Sequence, residues 1–522
     1  MKKMFSKYIF ICLVLFAVCF SACGSQPPAS ETAGPTAAAV TETAQPETEA
    51  DQPPDPAEEP PPQEIPLYDE YNIELEIDPV TRIVTGFERI RFTNRTGAPL
   101  SEIVVRVWFN AFNERETRKP YFESFYGKIF ALGEDFGYMD ILHVSAENNE
   151  LEFALEKTVL TVALDTPLEA DHTIQLKIQF DAYIPKIAHR TGANENAIWC
   201  GMFLPVLAVY GEDGWHTEPY YPAGDPFFLE SANYTVEIST PVEYDVAGTG
   251  DKTEEIMEDN LVTTFNARMV RDFAFALSPA FTEAEAVTES GVNIHFYYYS
   301  DGLDIEKIMD TALRSMAFME EEVGFYPYKQ LSIVETDMFV SGGMEFSMMV
   351  FMDSAYLRRS RSFSSITHET AHQWFYNIVG NDQISEAWLD EGITKFLEDM
   401  FFCETEDELR EKMEGDYVLL KGVHDGIANE QRIIASGIAG YGEWNDYYQI
   451  KYAKAKLMLY SLRHVMGAEH FSRLLAEYFK AFSFRVATGT DFIAMAEEIH
   501  GESLKTFFDQ WLYSDTLPEF QN

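Results

Sequence analysis

Two histidines and a glutamate stand at a spacing that suits metal-assisted hydrolysis. They form the segment HETAH at 368–372, in which His368 and His372 enclose Glu369. The surrounding pattern predicts a helix that ends near Gly380. Side chains four residues apart lie about 40° apart around such a helix, so both imidazoles can face one ion. Glu369 would lie beside that ion, where it can take a proton from the ion's water.

A catalytic zinc ion needs a third protein ligand and an open position for water. The candidate is Glu391, 19 residues after His372, within the segment WLDEG at 388–392. Ser385 is expected to cap a second helix that presents Glu391 to the first. The sequence therefore predicts one Zn(2+) per chain, held by His368, His372 and Glu391.

This pattern of HExxH, eighteen intervening residues and a glutamate in a WLxEG context resembles the M1 family of zinc aminopeptidases, a gluzincin group. The segment GGMEF at 342–346 is similar to the family's G-x-M-E-N motif, a strand that lines the substrate cleft. The resemblance implies that this strand binds substrate through Gly342, Gly343, Met344 and Glu345. In the family the glutamate receives the free α-amino group of the substrate. Phe346 departs from the motif's asparagine, so exopeptidase specificity is less firmly implied than metal binding.

A second family segment, Y-x-K-G-A, resembles the residues YAKA at 452–455. The resemblance implies that the hydroxyl of Tyr452 stabilises the oxyanion of the tetrahedral intermediate, a contribution of a few kcal/mol for a well-aimed donor. Ala455 replaces the usual glycine. Tyr447 and Tyr448 lie nearby, and buried tyrosines are more often structural than catalytic.

The elements that must position these residues follow from hydrophobic periodicity. Strict alternation begins at Tyr71 and recurs at 89–92, 174–180 and 234–238, which predicts a mainly β region from 67 to 287. One more strand is expected at 292–296, then a helix capped by Asp304, and helices dominate from Ser364 onward.

The predicted fold class is α+β, and the resemblance implies its form: a saddle-like N-terminal β domain at 67–287, then a thermolysin-like, mainly helical catalytic domain at 288–522. The resemblance covers about 67 to 520 and does not include the large helical C-terminal domain of many family members. We therefore expect a more open cleft.

The first 22 residues predict an export signal, with lysines at positions 2, 3 and 7 followed by an apolar run. The segment SACG at 21–24 resembles a bacterial lipobox, which implies lipidation of Cys23. An uncleaved anchor and an ordinary signal peptide remain alternatives. Residues 23–66 are rich in Pro and Glu and predict a disordered linker. The expected location is extracytoplasmic, on a bacterial membrane.

The formal charge of −48 makes nucleic acid a poor partner. Peptides are the expected substrates, and the membrane is expected to be contacted through the lipid on Cys23. Of the five cysteines, only Cys200 and Cys403 remain in the predicted folded part, and the sequence leaves their pairing open.

The favoured function is zinc-dependent release of N-terminal residues from peptides. A gluzincin that cuts internal bonds is the first alternative, since Phe346 departs from the motif. A catalytically quiet, lipid-anchored binding protein on the same scaffold is the second.

Overall fold

The computed structural model describes residues 68–116, 119–147, 149–339, 342–359 and 362–520. The predicted signal peptide, Cys23 and the linker lie outside these ranges. Within the described residues, no helix has the length and apolar character needed to cross a membrane.

The N-terminal part of the described chain is built from strands. Their bounds are β1 (Glu70–Asp78), β2 (Ile83–Thr93), β3 (Leu100–Arg106), β4 (Tyr138–Ala146), β5 (Asn149–Glu150), β6 (Phe153–Glu156), β7 (Val159–Leu168), β8 (Thr173–Tyr183), β9 (Thr191–Ala193), β10 (Ile198–Cys200), β11 (Val206–Leu207), β12 (Tyr210–Gly211), β13 (Gly214–Trp215), β14 (Ala232–Pro241), β15 (Asp245–Gly248), β16 (Asp251–Met257), β17 (Asn260–Val270) and β18 (Phe275–Ser278). One short helix, α1 (Tyr126–Ile129), interrupts them.

These strands form a large sheet of eight and smaller sheets packed with it. The large sheet has the order β16-β17-β14-β1-β2-β8-β4-β5, and β1 pairs in parallel with β14. Along β1 the apolar residues Tyr71, Ile73, Leu75 and Ile77 are buried while the polar residues between them are exposed. The predicted period-two alternation is therefore confirmed, because one face of the strand packs into the core.

The C-terminal part contains a five-stranded sheet, a two-stranded sheet and most of the helices. Its bounds are β19 (Thr282–Val287), β20 (Asn293–Tyr298), α2 (Ile305–Glu322), β21 (Gln330–Thr336), β22 (Gly343–Phe346), β23 (Met349–Asp353), α3 (Ser354–Leu357), α4 (Ser362–Ala371), β24 (Val379–Gly380), α5 (Gln383–Glu386), α6 (Trp388–Phe402), α7 (Glu406–His424), α8 (Trp444–Tyr448), α9 (Ala455–Met466), α10 (Ala468–Phe482), β25 (Arg485–Val486), α11 (Gly489–His500) and α12 (Lys505–Trp511). The succession of a β-rich part and a helical part confirms the predicted α+β class.

The five-stranded sheet has the GGMEF segment in its edge strand. Its order is β19-β20-β21-β23-β22, with β20, β21 and β23 parallel and β22 antiparallel to β23. The sheet begins with β19, inside the range predicted for the first domain. The predicted cap of α2 is confirmed, because the Asp304 side chain accepts a hydrogen bond from the backbone N–H of Lys307.

Two local predictions are wrong. The helix that carries His368 ends at Ala371 and not near Gly380, since residues 372–378 turn and Gly380 belongs to β24, which pairs with β25. Ser385 does not cap the helix of Glu391. It lies inside α5, whose cap is Asp382, and α6 follows from Ala387 without a side-chain cap.

The two cysteines within the described residues are free thiols. Cys200 is buried, and Cys403 is partly exposed. No pairing between them contributes to the stability of this fold.

Candidate metal centre and substrate pocket

Helices α4 and α6 bring the three predicted metal ligands together. The Nε2 atoms of His368 and His372 are 3.2 Å apart, and each lies 3.3 Å from Oε2 of Glu391. His372 follows the last residue of α4, but its backbone N–H still donates to the carbonyl of His368 at 3.1 Å. It therefore stays on the same helical face, one turn after His368.

This triangle of donor atoms fits zinc. A tetrahedral ion with ligands at about 2.0–2.1 Å requires donor atoms about 3.3–3.4 Å apart, and the edges found here are 3.2–3.3 Å. Two imidazoles and one carboxylate are also a donor set of catalytic zinc sites, which leave a fourth position open. The residues thus match one Zn(2+) in both chemistry and spacing.

A second layer of contacts orients the two imidazoles. Nδ1 of His372 is 3.1 Å from the carbonyl oxygen of Phe375, and Nδ1 of His368 is 3.2 Å from Oε2 of Glu398. Lys395 in turn donates to Glu398 at 2.6 Å. Because each Nδ1 faces an acceptor, each Nε2 is directed toward the metal position.

Glu369 is buried against the backbone of Gly343. An added Cβ at Gly343 would lie 2.6 Å from the carboxyl carbon of Glu369, so only glycine leaves space for this carboxyl group. Burial, together with the charge of Glu391, raises the pKa of Glu369 to about 7, although both histidines oppose the shift. A carboxyl group with a pKa near neutrality can both accept and return a proton.

The edge strand β22 places Glu345 beside the same centre. A carboxylate oxygen of Glu345, one of Glu369 and a ring nitrogen of His372 all lie within 4.8 Å of one another. The strand is tied to the histidine segment by Asn377, whose Nδ2 donates to the carbonyls of Glu345 at 2.8 Å and His372 at 3.1 Å. Burial and the charge of Asp225 raise the pKa of Glu345 well above its usual value.

The remaining residues of the GGMEF segment have different positions. Gly343 and Met344 line the pocket with Glu345, whereas Gly342, at φ +95°, makes the turn into the strand and does not line it. The carbonyl of Gly342 accepts a hydrogen bond from the backbone N–H of Asp353 at 3.0 Å. Phe346 is buried on the opposite side, and its ring occupies the space next to Gly201. The departure from the family motif therefore falls outside the pocket.

Tyr452 reaches the centre from a π-helical turn at Gln449–Lys454. Its hydroxyl donates to Oε1 of Glu391, and its ring stacks on Tyr448 with centroids 5.1 Å apart. Single π-helical turns occur often at functional sites because they shift the side chains relative to a regular helix. The structure thus brings Tyr452 into the same pocket as the metal ligands.

Six residues that the sequence analysis did not single out also line the pocket: Phe125, Arg190, Pro222, Gly224, Asp225 and Trp444. Arg190 pairs with Asp225 and also donates to the carbonyl of Gly224 at 2.8 Å. Phe125 and Asp225 belong to the N-terminal half of the chain, more than 100 residues from the metal ligands. These lining residues have no periodic spacing in the sequence, so no sequence pattern predicted this wall of the pocket.

The lining of the pocket is rich in carboxyl groups. Its lining holds four carboxyl groups, those of Asp225, Glu345, Glu369 and Glu391, against the single guanidinium of Arg190. That guanidinium is already engaged by Asp225. Such a pocket suits a divalent cation and a substrate ammonium group.

This chain is similar in sequence to peptidases of one family. Residues 308–511 match the model of the peptidase family M1 domain. Aminopeptidase M1-D of Oryza sativa subsp. japonica is 26% identical over 319 residues, which cover 58% of this chain and 35% of the relative. Endoplasmic reticulum aminopeptidase 1 of Rattus norvegicus is 25% identical over 231 residues, 42% of this chain and 25% of the relative. The chain thus spans about a third or less of the length of these relatives.

Among solved structures, an M1 zinc metallopeptidase from Deinococcus radiodurans shares this fold. The TM-score is 0.67 at 18% identity, with 87% of this chain and 96% of that chain covered. A mutant of that enzyme bound to a Tyr-Ser-Ala substrate gives a TM-score of 0.66 at 17% identity, with the same coverage. The likeness extends over both the β part and the helical part of this chain.

Proposed function

From its peptidase family M1 domain and the geometry of its pocket, we propose that this chain is a zinc aminopeptidase. It binds one Zn(2+) and releases the N-terminal residue of peptides. The relatives named aminopeptidases and the zinc metallopeptidase fold support this proposal, as does the match of the donor triangle to tetrahedral zinc.

One observation supports an exopeptidase in particular: a carboxylate lies beside the metal ligands. An α-amino nitrogen and the carbonyl carbon of the same residue are about 2.5 Å apart. A group that binds the ammonium must therefore lie within a few ångströms of the ion that polarises the carbonyl. Glu345 meets this requirement, because its carboxylate oxygen lies within 4.8 Å of a ring nitrogen of the ligand His372 and of a carboxylate oxygen of Glu369.

Each residue then has a defined task. His368, His372 and Glu391 would hold the zinc ion, which would supply Lewis-acid activation of water and of the scissile carbonyl. Glu369 takes the proton from the attacking water and delivers it to the leaving amine. The hydroxyl of Tyr452 donates to the negative charge that develops on the carbonyl oxygen. The Glu345 carboxylate pairs with the substrate ammonium and limits how much peptide lies beyond it.

Metal analysis together with a simple activity assay tests this proposal. We expect one zinc per chain in the purified protein, hydrolysis of fluorogenic amino-acyl amides, loss of activity with a chelator, and recovery with added zinc. His372→Ala should lose both zinc and activity. Full activity in protein free of zinc would contradict the proposal.

The location is a second part of the proposal. The apolar start of the chain and the segment SACG at 21–24 support export and lipidation at Cys23, which would hold the enzyme on a bacterial membrane. Two or more acyl chains anchor a protein stably, whereas one chain does so only marginally. Expression in a bacterial host with a labelled fatty acid should label the wild type and not Cys23→Ser. Equal labelling of both would refute the assignment.

A further inference from the structure

Gln383, the first residue of α5, lies between two buried carboxyl groups at the back of the pocket. Its Nε2 donates to Oδ2 of Asp390 at 2.7 Å and to Oε1 of Glu345 at 3.3 Å. Gln383 is 1% exposed, Asp390 is 1% exposed and Glu345 is 4% exposed, so water does not compete for these contacts. One amide group thus connects the proposed ammonium anchor to helix α6.

The orientation of this amide follows from its surroundings. A carboxamide has two N–H donors on nitrogen and only acceptor sites on oxygen. The reverse orientation would set the amide oxygen against two carboxyl groups, which are themselves acceptors when ionised. The structure accordingly places the nitrogen toward Glu345 and Asp390.

Asp390, which accepts one end of the Gln383 bridge, is itself held in place by a second hydrogen bond. Its other oxygen, Oδ1, accepts from Nδ2 of Asn381 at 3.1 Å. It also precedes the metal ligand Glu391 on α6, so the same helix fixes the metal and the far end of the bridge. The hydrogen bond from Gln383 to Glu345 thereby fixes the position of the Glu345 carboxyl group relative to the metal ligands.

We propose that Gln383 is a positioning residue that holds the Glu345 carboxylate in place for the substrate ammonium. This inference rests on the proposed aminopeptidase function. The contact from Nε2 of Gln383 fixes one oxygen of the Glu345 carboxyl group, Oε1. It leaves the other oxygen, Oε2, for the ligand.

The test separates ammonium recognition from folding and from metal binding. Gln383→Met keeps the side-chain length and removes both donors, while Gln383→Asn keeps the amide but is too short to bridge both groups. The probes are inhibition constants for L-leucine and N-acetyl-L-leucine, together with kcat and KM for a leucyl amide. We expect wild type to bind L-leucine more tightly than N-acetyl-L-leucine. In both variants the ratio of the two inhibition constants should fall by about tenfold. KM should rise more than kcat falls, and zinc content should stay at the wild-type level.

Gln373→Met is the matched control. Gln373 is an equally buried amide that binds the backbone of the same strand region, at Phe346 and Met348, without touching the Glu345 carboxylate. We expect this variant to lower the melting temperature and to keep the preference for L-leucine. The inference is overturned if the Gln383 variants lose stability but keep the wild-type preference. A wild type that binds both probes equally would instead refute the aminopeptidase function, and this inference with it.

Discussion

Gly343→Ala is a small change with a large expected effect, because the atoms that must move belong to the proposed general base. The added Cβ would lie 2.4 Å from Oε1 of Glu369, whereas ordinary contact begins at 3.4 Å. The carboxyl group must therefore shift by about 1 Å, the difference between these two distances. It stands at the end of a flexible side chain, so the fold can accept the shift at a cost near 1 kcal/mol, the low end for overpacking.

The effect on catalysis should be much larger than the effect on folding. Displacement of a reacting group by about 1 Å costs on the order of 100-fold in rate. We therefore expect kcat/KM to fall by roughly 30- to 100-fold in Gly343→Ala. Zinc content should not change, because Glu369 is not one of the three ligands.

The assay compares kcat/KM, zinc content and melting temperature for wild type, Gly343→Ala and a matched glycine variant. Gly415 lies on the exposed face of α7, where an added Cβ meets nothing within 4 Å. Gly415→Ala should keep full activity and gain about 0.5–1 kcal/mol of stability, since glycine weakens a helix interior. If Gly343→Ala keeps kcat/KM within twofold of wild type, the placement of Glu369 as the base is wrong.

Three further changes test other contacts of the site and the core. Tyr452→Phe should lower kcat by roughly 100-fold or more with zinc retained, because one oxyanion donor is lost; stopped assays with a metal measurement check this. Glu398→Ala should weaken zinc binding by about 10–100-fold, since Nδ1 of His368 loses its partner; competition with a chelator measures it. Glu88→Met should raise stability by about 1–3 kcal/mol at neutral pH, because Glu88 is fully buried with no partner for either oxygen among the described residues. Burial raises the pKa of Glu88 well above 4.5. The free energy of unfolding is therefore highest below pH 4.5, where Glu88 is protonated, and it falls as the pH rises through the folded-state pKa. Thermal melts from pH 4 to pH 8 should show a steeper loss of stability in wild type than in Glu88→Met.

Local spacing was enough to predict that the three proposed metal ligands lie together. His368 and His372 are related by one helical turn, and Glu391 lies on a neighbouring helix close in sequence, so short-range geometry determines their meeting. The Asp304 cap is local as well, since it satisfies the first free N–H groups of its own helix.

Most features that sequence did not predict depend on contacts between distant segments. Residues 379–380, which the predicted helix would have reached, pair instead with Arg485 and Val486, more than 100 positions later. The pocket wall of Arg190 and Asp225 comes from the β part. The Gln383 bridge joins three different elements. None of these contacts leaves a periodic pattern in the sequence, because each is made by one or two residues of a loop or of a separate element.

Cleavage mapping by mass spectrometry tests the central claim most directly, with peptides that carry free and acetylated N-termini and with Glu369→Gln as control. The account predicts stepwise loss of N-terminal residues from the free peptides only, and no cleavage of either set by Glu369→Gln. Internal cleavage of both sets would contradict it and indicate an endopeptidase. An absence of cleavage by a fully zinc-loaded wild type would indicate a binding protein on this scaffold.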